Sequence, residues 1–261
     1  MKIQFSKYQG TGNDFVIIDN RMMHWVPTVL QVSMLCDRHF GIGADGLMLL
    51  DNKNGFNFAM TYYNSDGHES TMCGNGGRCM TAFAKSLGLV SHRAHFWAVD
   101  GDHTAEIVDS SPVCIYKIKM RDTRIEKIYD DGFFINTGSP HFVKFVDDVM
   151  HTDVFNSGRE LRHDKRFAPD GTNVDFVELQ NVNLFVRSYE RGVENETLSC
   201  GTGVTASAIV AAFRNPAEPG FYNIRTQGGN LKVSFIRTSE LFSEIWLEGP
   251  ATFVYAGEIT I

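Results

Sequence analysis

The order of parts in the first half of this chain returns in the second, and that repetition constrains the fold more than any other feature. The string TGNDFV from Thr11 is echoed by TGSPHFV from Thr137, Ala44-Asp-Gly by Pro169-Asp-Gly, and FAMTYYNSDG from Phe58 by LFVRSYERG from Leu184. Each series ends on a cysteine turn, Cys73-Gly-Asn-Gly in the first and Cys200-Gly-Thr-Gly in the second. The interval from Thr11 to Cys73 differs by a single residue from that between Thr137 and Cys200. Short strings recur by chance; four matches in one order at nearly equal spacing indicate an internal duplication. The duplication predicts two similar domains related by a pseudo-twofold axis.

Hydropathy patterning supplies the elements. Alternating or continuous apolar runs bounded by Gly, Asn or Asp predict strands at Ile3–Tyr8, Phe15–Asp19, Leu47–Leu50, Phe58–Tyr63, Ala105–Val108, Val113–Met120, Phe142–Val146, Phe176–Leu179, Leu184–Tyr189, Leu231–Phe235, Glu244–Leu247 and Ala251–Ile261. Helical patterns are fewer: Thr28–His39, Asp147–Phe155, and one helix after each cysteine turn. Many strands with one well-marked helix per half predict an α+β fold, two pseudo-symmetric domains in which a curved, mostly antiparallel sheet wraps a central helix. Gly201–Phe213 is nearly all small or apolar, so that helix should be buried on most faces.

Thirty-one acidic against 24 basic residues give a net charge of −7, which argues against a nucleic-acid partner. No apolar run is long enough to span a membrane, and the opening MKIQFSKYQG alternates as a strand does rather than as a secretion signal. Five scattered cysteines, an odd number, fit reduced thiols and a cytoplasmic location. Cys73 and Cys79 lack CxxC spacing and no histidine cluster accompanies them, so no metal site is expected.

Cys73 and Cys200 each stand where a helix begins, at the convergence of free backbone N–H groups and the positive end of the helix dipole. That position lowers a thiol's pKa, and the same N–H groups can receive a carboxylate. Burial of the second helix opposes the dipole at Cys200, so a thiol tuned near neutrality is expected there. Two such thiols facing one carbon suit a reaction that takes a proton from one face and returns it to the other. Cys36, Cys79 and Cys114 have no such context and read as packing residues. Taken singly, Asn13 and Asn64 fit turns as well as ligands, Glu190-Arg191 fits a surface pair, and His141 fits a core or turn histidine.

The strings YQGTGNDFVIID, GIGADG, YYNSDG, MCGNGGRC, SYERG and SCGTG, in that order and spanning nearly the whole chain, resemble diaminopimelate epimerase. The resemblance implies interconversion of LL- and meso-2,6-diaminopimelate without cofactor, a role in lysine and peptidoglycan precursor synthesis, a cleft between two domains, and a homodimer. It implies domains at about 1–116, completed by a returning C-terminal strand near 250–261, and 117–249. Cys73 and Cys200 match the family's catalytic cysteines. Asn13, Asn64 and Asn173 match substrate-binding asparagines, Gly74 and Asn75 the turn after the first cysteine, and Gly201 and Thr202 the turn after the second. Glu190 and Arg191 match the pair that grips the distal amino-acid end, and His141 a supporting histidine.

Three departures stand out: Ser139 where many members have Asn, Gly46 where some carry a substrate-contacting Gln, and one extra residue between Glu190 and Cys200. The last should be absorbed in a loop. A proline or hydroxyproline racemase would share the two-cysteine layout but carry CGHG, against Asn75, and would not need Glu190-Arg191. A non-catalytic amino-acid-binding module could lose either thiol; both are present.

Overall fold

The computed structural model describes residues 1–108, 114–215 and 220–261. These form two compact units, Met1–Ile118 with Gly249–Ile261, and Lys119–Glu248. The first contains β1 (Lys2–Gly10), β2 (Asn13–Asp19), α1 (Val29–Cys36), β3 (Gly46–Asp51), β4 (Phe58–Asn64), β5 (Glu69–Ser70), α2 (Gly74–Ser86), β6 (Arg93–Ala98), β7 (Gly101–Val108) and β8 (Ile115–Lys119). The second contains β9 (Ile125–Tyr129), β10 (Gly132–Asn136), β11 (Pro140–Phe145), α3 (Val154–Arg162), β12 (Asn173–Gln180), β13 (Asn183–Glu190), β14 (Asn195–Thr197), α4 (Gly201–Arg214), β15 (Phe221–Thr226), β16 (Gly229–Thr238) and β17 (Leu241–Pro250). A last strand, β18 (Thr252–Thr260), pairs antiparallel with β1 from Lys2↔Thr260 to Gln9↔Thr252.

Both units are wired alike. In the first, β1–β2 is antiparallel, β2–β3 parallel, β3–β4 and β4–β5 antiparallel, β4–β6 parallel, and β6–β7–β8 antiparallel. In the second, β10–β11 is antiparallel, β11–β12 parallel, β12–β13 and β13–β14 antiparallel, β13–β15 parallel, and β15–β16–β17 antiparallel. Each sheet is mostly antiparallel, and the duplication read from the sequence is a duplication of topology.

Each sheet is apolar on the face turned to its helix. The β1 strand alternates, burying Ile3 and Phe5 between exposed Lys2 and Gln4, and these pack with Val16, Ile18, Leu47 and Leu49 against Val32 and Leu35 of α1. The α2 helix lies against β1, β2, β3 and β7 with every residue from Gly74 to Ala84 buried. The α4 helix lies against β10–β13, β15 and β16, with Gly203–Ala212 buried, so the expectation of a helix buried on most faces holds. Small residues in its first turn and Ala206, Ala208, Ala211 and Ala212 let strands approach on all sides.

The local departures have physical causes. The helix expected over Asp147–Phe155 instead runs Val154–Arg162, because Asp153 accepts the Asn156 N–H and caps the start there. Strands β5, β6, β9, β10, β14 and β15 were not expected. In β6 the inward residues are Ala94, Phe96 and Ala98, too small a signal, and most of β9 is exposed. The strand expected at Val113–Met120 is β8; Val113 lies outside the described residues.

A four-membered ion-pair set braces β1 and β2. Asp14 lies 2.7 Å from Lys7 and 2.7 Å from Arg38, which also reaches Asp45 at 2.7 Å. Burial would raise the Asp14 carboxyl, but hydrogen bonds from Arg38 and Lys7 outweigh it and hold it at about 2. A depressed folded pKa stabilises above the unfolded value and is lost as pH falls. Asp14→Asn is therefore expected to lower stability by roughly 2 kcal/mol at pH 7. In urea titrations the difference from wild type should shrink as pH falls from 3.8 toward about 2.

Candidate active site

The first half-site is built on the start of α2. Cys73 has extended backbone (φ −96°, ψ 132°) and caps the helix, its carbonyl receiving the Gly77 N–H at 2.7 Å. The N–H groups of the first turn have no intrahelical acceptor, and three glycines there leave them uncovered by side chains. Asn13, at the start of β2, places Oδ1 3.7 Å from Cys73 Sγ and 3.3 Å from Asn75 Nδ2, while its own Nδ2 donates to Asp45 at 2.7 Å. Behind Asn75 lies Arg78, 0 % exposed, whose guanidinium donates to Asn75 Oδ1 at 3.0 Å.

The second half-site repeats this frame at the start of α4 with different chemistry. Cys200 is extended (φ −110°, ψ 113°), 7 % exposed, and its carbonyl receives the Val204 N–H at 2.9 Å. Thr202 Oγ1 lies 3.5 Å from the sulfur and 2.9 Å from His141 Nε2. His141 and Asp175 are both fully buried, with Nδ1–H donating to Asp175 Oδ2 at 2.7 Å. A carboxylate is acceptor-only, so this contact assigns the proton to Nδ1 and leaves Nε2 to accept from a hydroxyl in the neutral ring. Ser188 donates to the other Asp175 oxygen at 2.6 Å. Glu190 accepts from Thr197 and from the Cys200 thiol.

Burial pushes the Cys200 thiol well above its ordinary value; Glu190 and Asp175 push it further, and the Thr202 hydroxyl and Gly203 N–H only partly offset them. The expectation of a thiol tuned near neutrality does not hold for Cys200, because it did not include the charges of Glu190 and Asp175. Burial likewise raises Glu190, against the lowering effect of Thr197 and His141.

Other expected residues fall as follows. Asn173, at the start of β12, donates to Ser139 Oγ at 3.2 Å and accepts the Arg191 N–H at 2.8 Å, joining the second half-site. Asn64 is exposed at the end of β4, paired with Gly46 and bonded through its backbone to His68 and Gly67. Of the departures, Ser139 takes a full part, within 2.9 Å of His141 Nε2 and 3.1 Å of Thr202 Oγ1. At Gly46 a Cβ would stand 2.5 Å from the Tyr62 ring, so this position has no room for a longer side chain. The extra residue before Cys200 is taken up in the turn after β13, where Glu194 adopts φ 55° and returns its N–H to the Glu190 carbonyl at 2.8 Å.

Sequence reasoning missed Arg78, Asp45, Asp175, Ser188 and Thr197. Two carried a signal: Arg78 is a charge in the first turns of an otherwise small and apolar helix, and Asp175 interrupts the apolar run NVDFV. Among the described residues no three His, Cys, Asp or Glu side chains converge as a metal site.

Close packing under Cys200 gives an immediate expectation. A Cβ at Gly203 would stand 2.3 Å from Asp175 Oδ1 and 3.2 Å from Ser188 Oγ, whereas one at Gly76 meets the flexible tip of Met48. Gly203→Ala should cost roughly 1–3 kcal/mol in thermal or urea unfolding. Gly76→Ala should cost less; equal losses would mean that Asp175 can move.

With this geometry in place, the family model for diaminopimelate epimerase matches residues 5–119 and 133–254. A curated diaminopimelate epimerase of Flavobacterium psychrophilum is 47 % identical over 95 % of this chain and 97 % of its own length. One of Chlorobaculum tepidum is 40 % identical, covering 97 % and 99 %. Among solved structures, a Bacillus anthracis phenazine biosynthesis protein of the PhzF family superposes with TM-score 0.75 at 14 % identity, covering all of both chains. A probable proline racemase of Agrobacterium radiobacter gives TM-score 0.75 at 12 %, covering 99 % and 93 %; these two likenesses concern the fold alone. The chain belongs to the diaminopimelate epimerase family.

Proposed function

We propose that this protein interconverts LL- and meso-2,6-diaminopimelate without a cofactor, using Cys73 and Cys200 as paired bases on opposite faces of one α-carbon. The observation that carries the reading is the duplicated placement of a thiol at the N-cap of a buried helix, within a chain of this family. One sulfur removes the α-proton as thiolate; the other, as thiol, delivers a proton to the opposite face. The α-proton is weakly acidic, so the charge that develops on the substrate carboxylate must meet fixed donors. The first-turn N–H groups of Gly74 and Asn75 and of Gly201 and Thr202 supply them, with Asn13, Asn64 and Asn173 as further substrate contacts.

Arg191 takes the distal carboxylate. Glu190, though bonded to Thr197 and Cys200, retains lone pairs for the distal ammonium. His141 supports Cys200 through Thr202. The functional halves are residues 1–116 with 250–261, and 117–249. The working form is a cytoplasmic homodimer; exposed Phe253, Val254 and Tyr255 on β18 support an apolar contact surface, which sedimentation tests.

The deciding assay offers LL-diaminopimelate to the protein in D₂O and follows α-deuterium and the meso isomer. Deuterated meso product is expected. An inert diaminopimelate with brisk racemisation of proline would overturn the reading in favour of the racemase alternative, and binding without exchange would favour a non-catalytic module.

A further inference from the structure

In each unit the hairpin that follows the cysteine helix turns back onto the residues leading into that cysteine. The two turns are equivalent: Ala98 pairs with Gly101 across Val99-Asp100, and Thr226 with Gly229 across Gln227-Gly228. In the second unit backbone alone makes the tie, the Gly228 N–H donating at 2.8 Å to the carbonyl of Leu198, two residues before Cys200. In the first unit Asp100 takes the position of Gly228, and its side chain makes the tie. Its Oδ1 accepts the N–H of Met72, the residue before Cys73, at 3.2 Å. A backbone tie is open to any sequence, whereas this one depends on a carboxylate.

The carboxylate is itself held in place. His103 Nε2 lies 3.1 Å from the same Oδ1, and because a carboxylate only accepts, the ring nitrogen donates. His103 stands opposite Phe96 in the β6–β7 register, and its ring stacks on Phe96 with centroids 5.4 Å apart. Phe96 stacks in turn on Phe58 at 5.0 Å, and both phenylalanines are fully buried, so the imidazole is fixed from the core side. The His103 and Asp100 side chains are 12 % and 25 % exposed, which shields their contact from much of the solvent. Burial would raise the Asp100 carboxyl, but His103 and the Met72 N–H hold it below the ordinary carboxylate range.

The segment that enters Cys73 needs such an anchor. Strand β5 ends at Ser70, opposite Tyr62, and α2 starts at Gly74, so Thr71, Met72 and Cys73 connect the two. On the helix side the Cys73 carbonyl is fixed by the Gly77 N–H at 2.7 Å. On the strand side the Met72 amide is fixed by Asp100. The Met72 side chain rests on the same helical turn, where a Cβ at Gly77 would stand 3.1 Å from its sulfur. A shift of Met72 therefore moves the Cys73 Cα and redirects the thiol. Misplacement of a reacting group by about 1 Å can cost roughly 10²-fold in rate.

We propose that Asp100 and His103 are positioning residues for Cys73: from the tip of the β6–β7 hairpin they hold the Met72 amide and so set where the thiol stands at the head of α2. The chain of support runs from the buried Phe58–Phe96 stack through His103 and Asp100 to the peptide that carries Cys73. At Cys200 the equivalent bond is made by the Gly228 backbone and does not depend on a side chain at the turn. The two half-sites are thus held alike, but only the first through residues that a substitution can remove. The role rests on the two-base reading above.

The test compares wild type, Asp100→Ala, Asp100→Asn and His103→Ala in epimerisation of LL-diaminopimelate, in amide hydrogen–deuterium exchange without substrate, and in urea unfolding. Asparagine keeps a carbonyl oxygen for the Met72 N–H; alanine does not. In Asp100→Ala, kcat should fall roughly ten- to a hundredfold while KM changes far less. The Met72 amide, followed in peptides that span it, should exchange about tenfold faster or more. Asp100→Asn should recover most of both, and His103→Ala, which keeps the acceptor but releases its support, should show a smaller fall in kcat. Gln227→Ala, at the equivalent turn of the second unit, should leave kcat unchanged. A pair that merely stabilised the fold would lower the urea midpoint and leave kcat and KM of the folded enzyme at wild-type values. Asp100→Ala with wild-type kcat or wild-type exchange at Met72 overturns the proposal, as does Asp100→Asn as slow as Asp100→Ala. If Asp100→Ala does not fold, wild-type kcat in His103→Ala overturns it equally. An inert wild type fails the epimerase reading instead, and the exchange at Met72, which needs no substrate, still decides the anchor.

Discussion

Cys73→Ala and Cys200→Ala should each abolish epimerisation while leaving the fold intact. Inversion by two bases needs a proton acceptor on one face and a donor on the other, and alanine supplies neither. Positioned acid–base groups contribute roughly 10²–10⁴ each, so loss of either thiol should lower kcat by at least about two orders of magnitude. The structural cost is small, because neither side chain caps its helix through a side-chain hydrogen bond. Cys36→Ala is the control: burial pushes its thiol up to about 12, and it packs in the core of the first unit. Cys114→Ala, where Lys85 donates toward the sulfur at 3.7 Å, should also be silent in kinetics. Wild-type turnover in either Cys73→Ala or Cys200→Ala would sink the two-base scheme.

What could be read in the sequence was whatever local pattern dictates. The cysteine turns, the buried α4 helix and the alternating β1 strand are written in neighbouring residues, and the duplication in the order of short strings. The partners of the second half-site were not legible in that way. His141 lies 34 residues from Asp175 and 61 from Thr202, and only the parallel pairing of β11 with β12 brings the first two together. Cys200 was misjudged for the same reason: the helix end is a local feature, whereas the carboxylates come from β12 and β13. Arg78 lies in plain sight beside Cys79, yet its place behind Asn75 is a property of the packed unit. The α3 helix was misplaced because a single Asp153 cap outweighed the weak periodicity before it.

Asp175→Asn should slow turnover by roughly 10²–10³ and shift the Cys200 thiol in a direction that is itself diagnostic. Asp175 is fully buried, accepts from His141 and Ser188, and sits behind the chain that runs through His141 Nε2 and Thr202 Oγ1 to the sulfur. Asparagine preserves the volume and removes the charge. A negative neighbour disfavours a thiolate, so removing it lets Cys200 ionise at lower pH. The pH midpoint for alkylation of Cys200 by iodoacetamide should therefore fall, although the enzyme becomes slower. A variant in which Cys200 had merely become more exposed through loosened packing would show the same fall together with a loss of stability. Equal urea midpoints for variant and wild type separate the two causes. Ser188→Ala supplies the comparison, since it removes a hydrogen bond to Asp175 and leaves the charge; it should slow turnover less and leave the Cys200 midpoint near wild type. If Asp175→Asn turns over normally with the Cys200 midpoint unchanged, the buried pair is scaffolding, and Glu190 alone must set the second thiol.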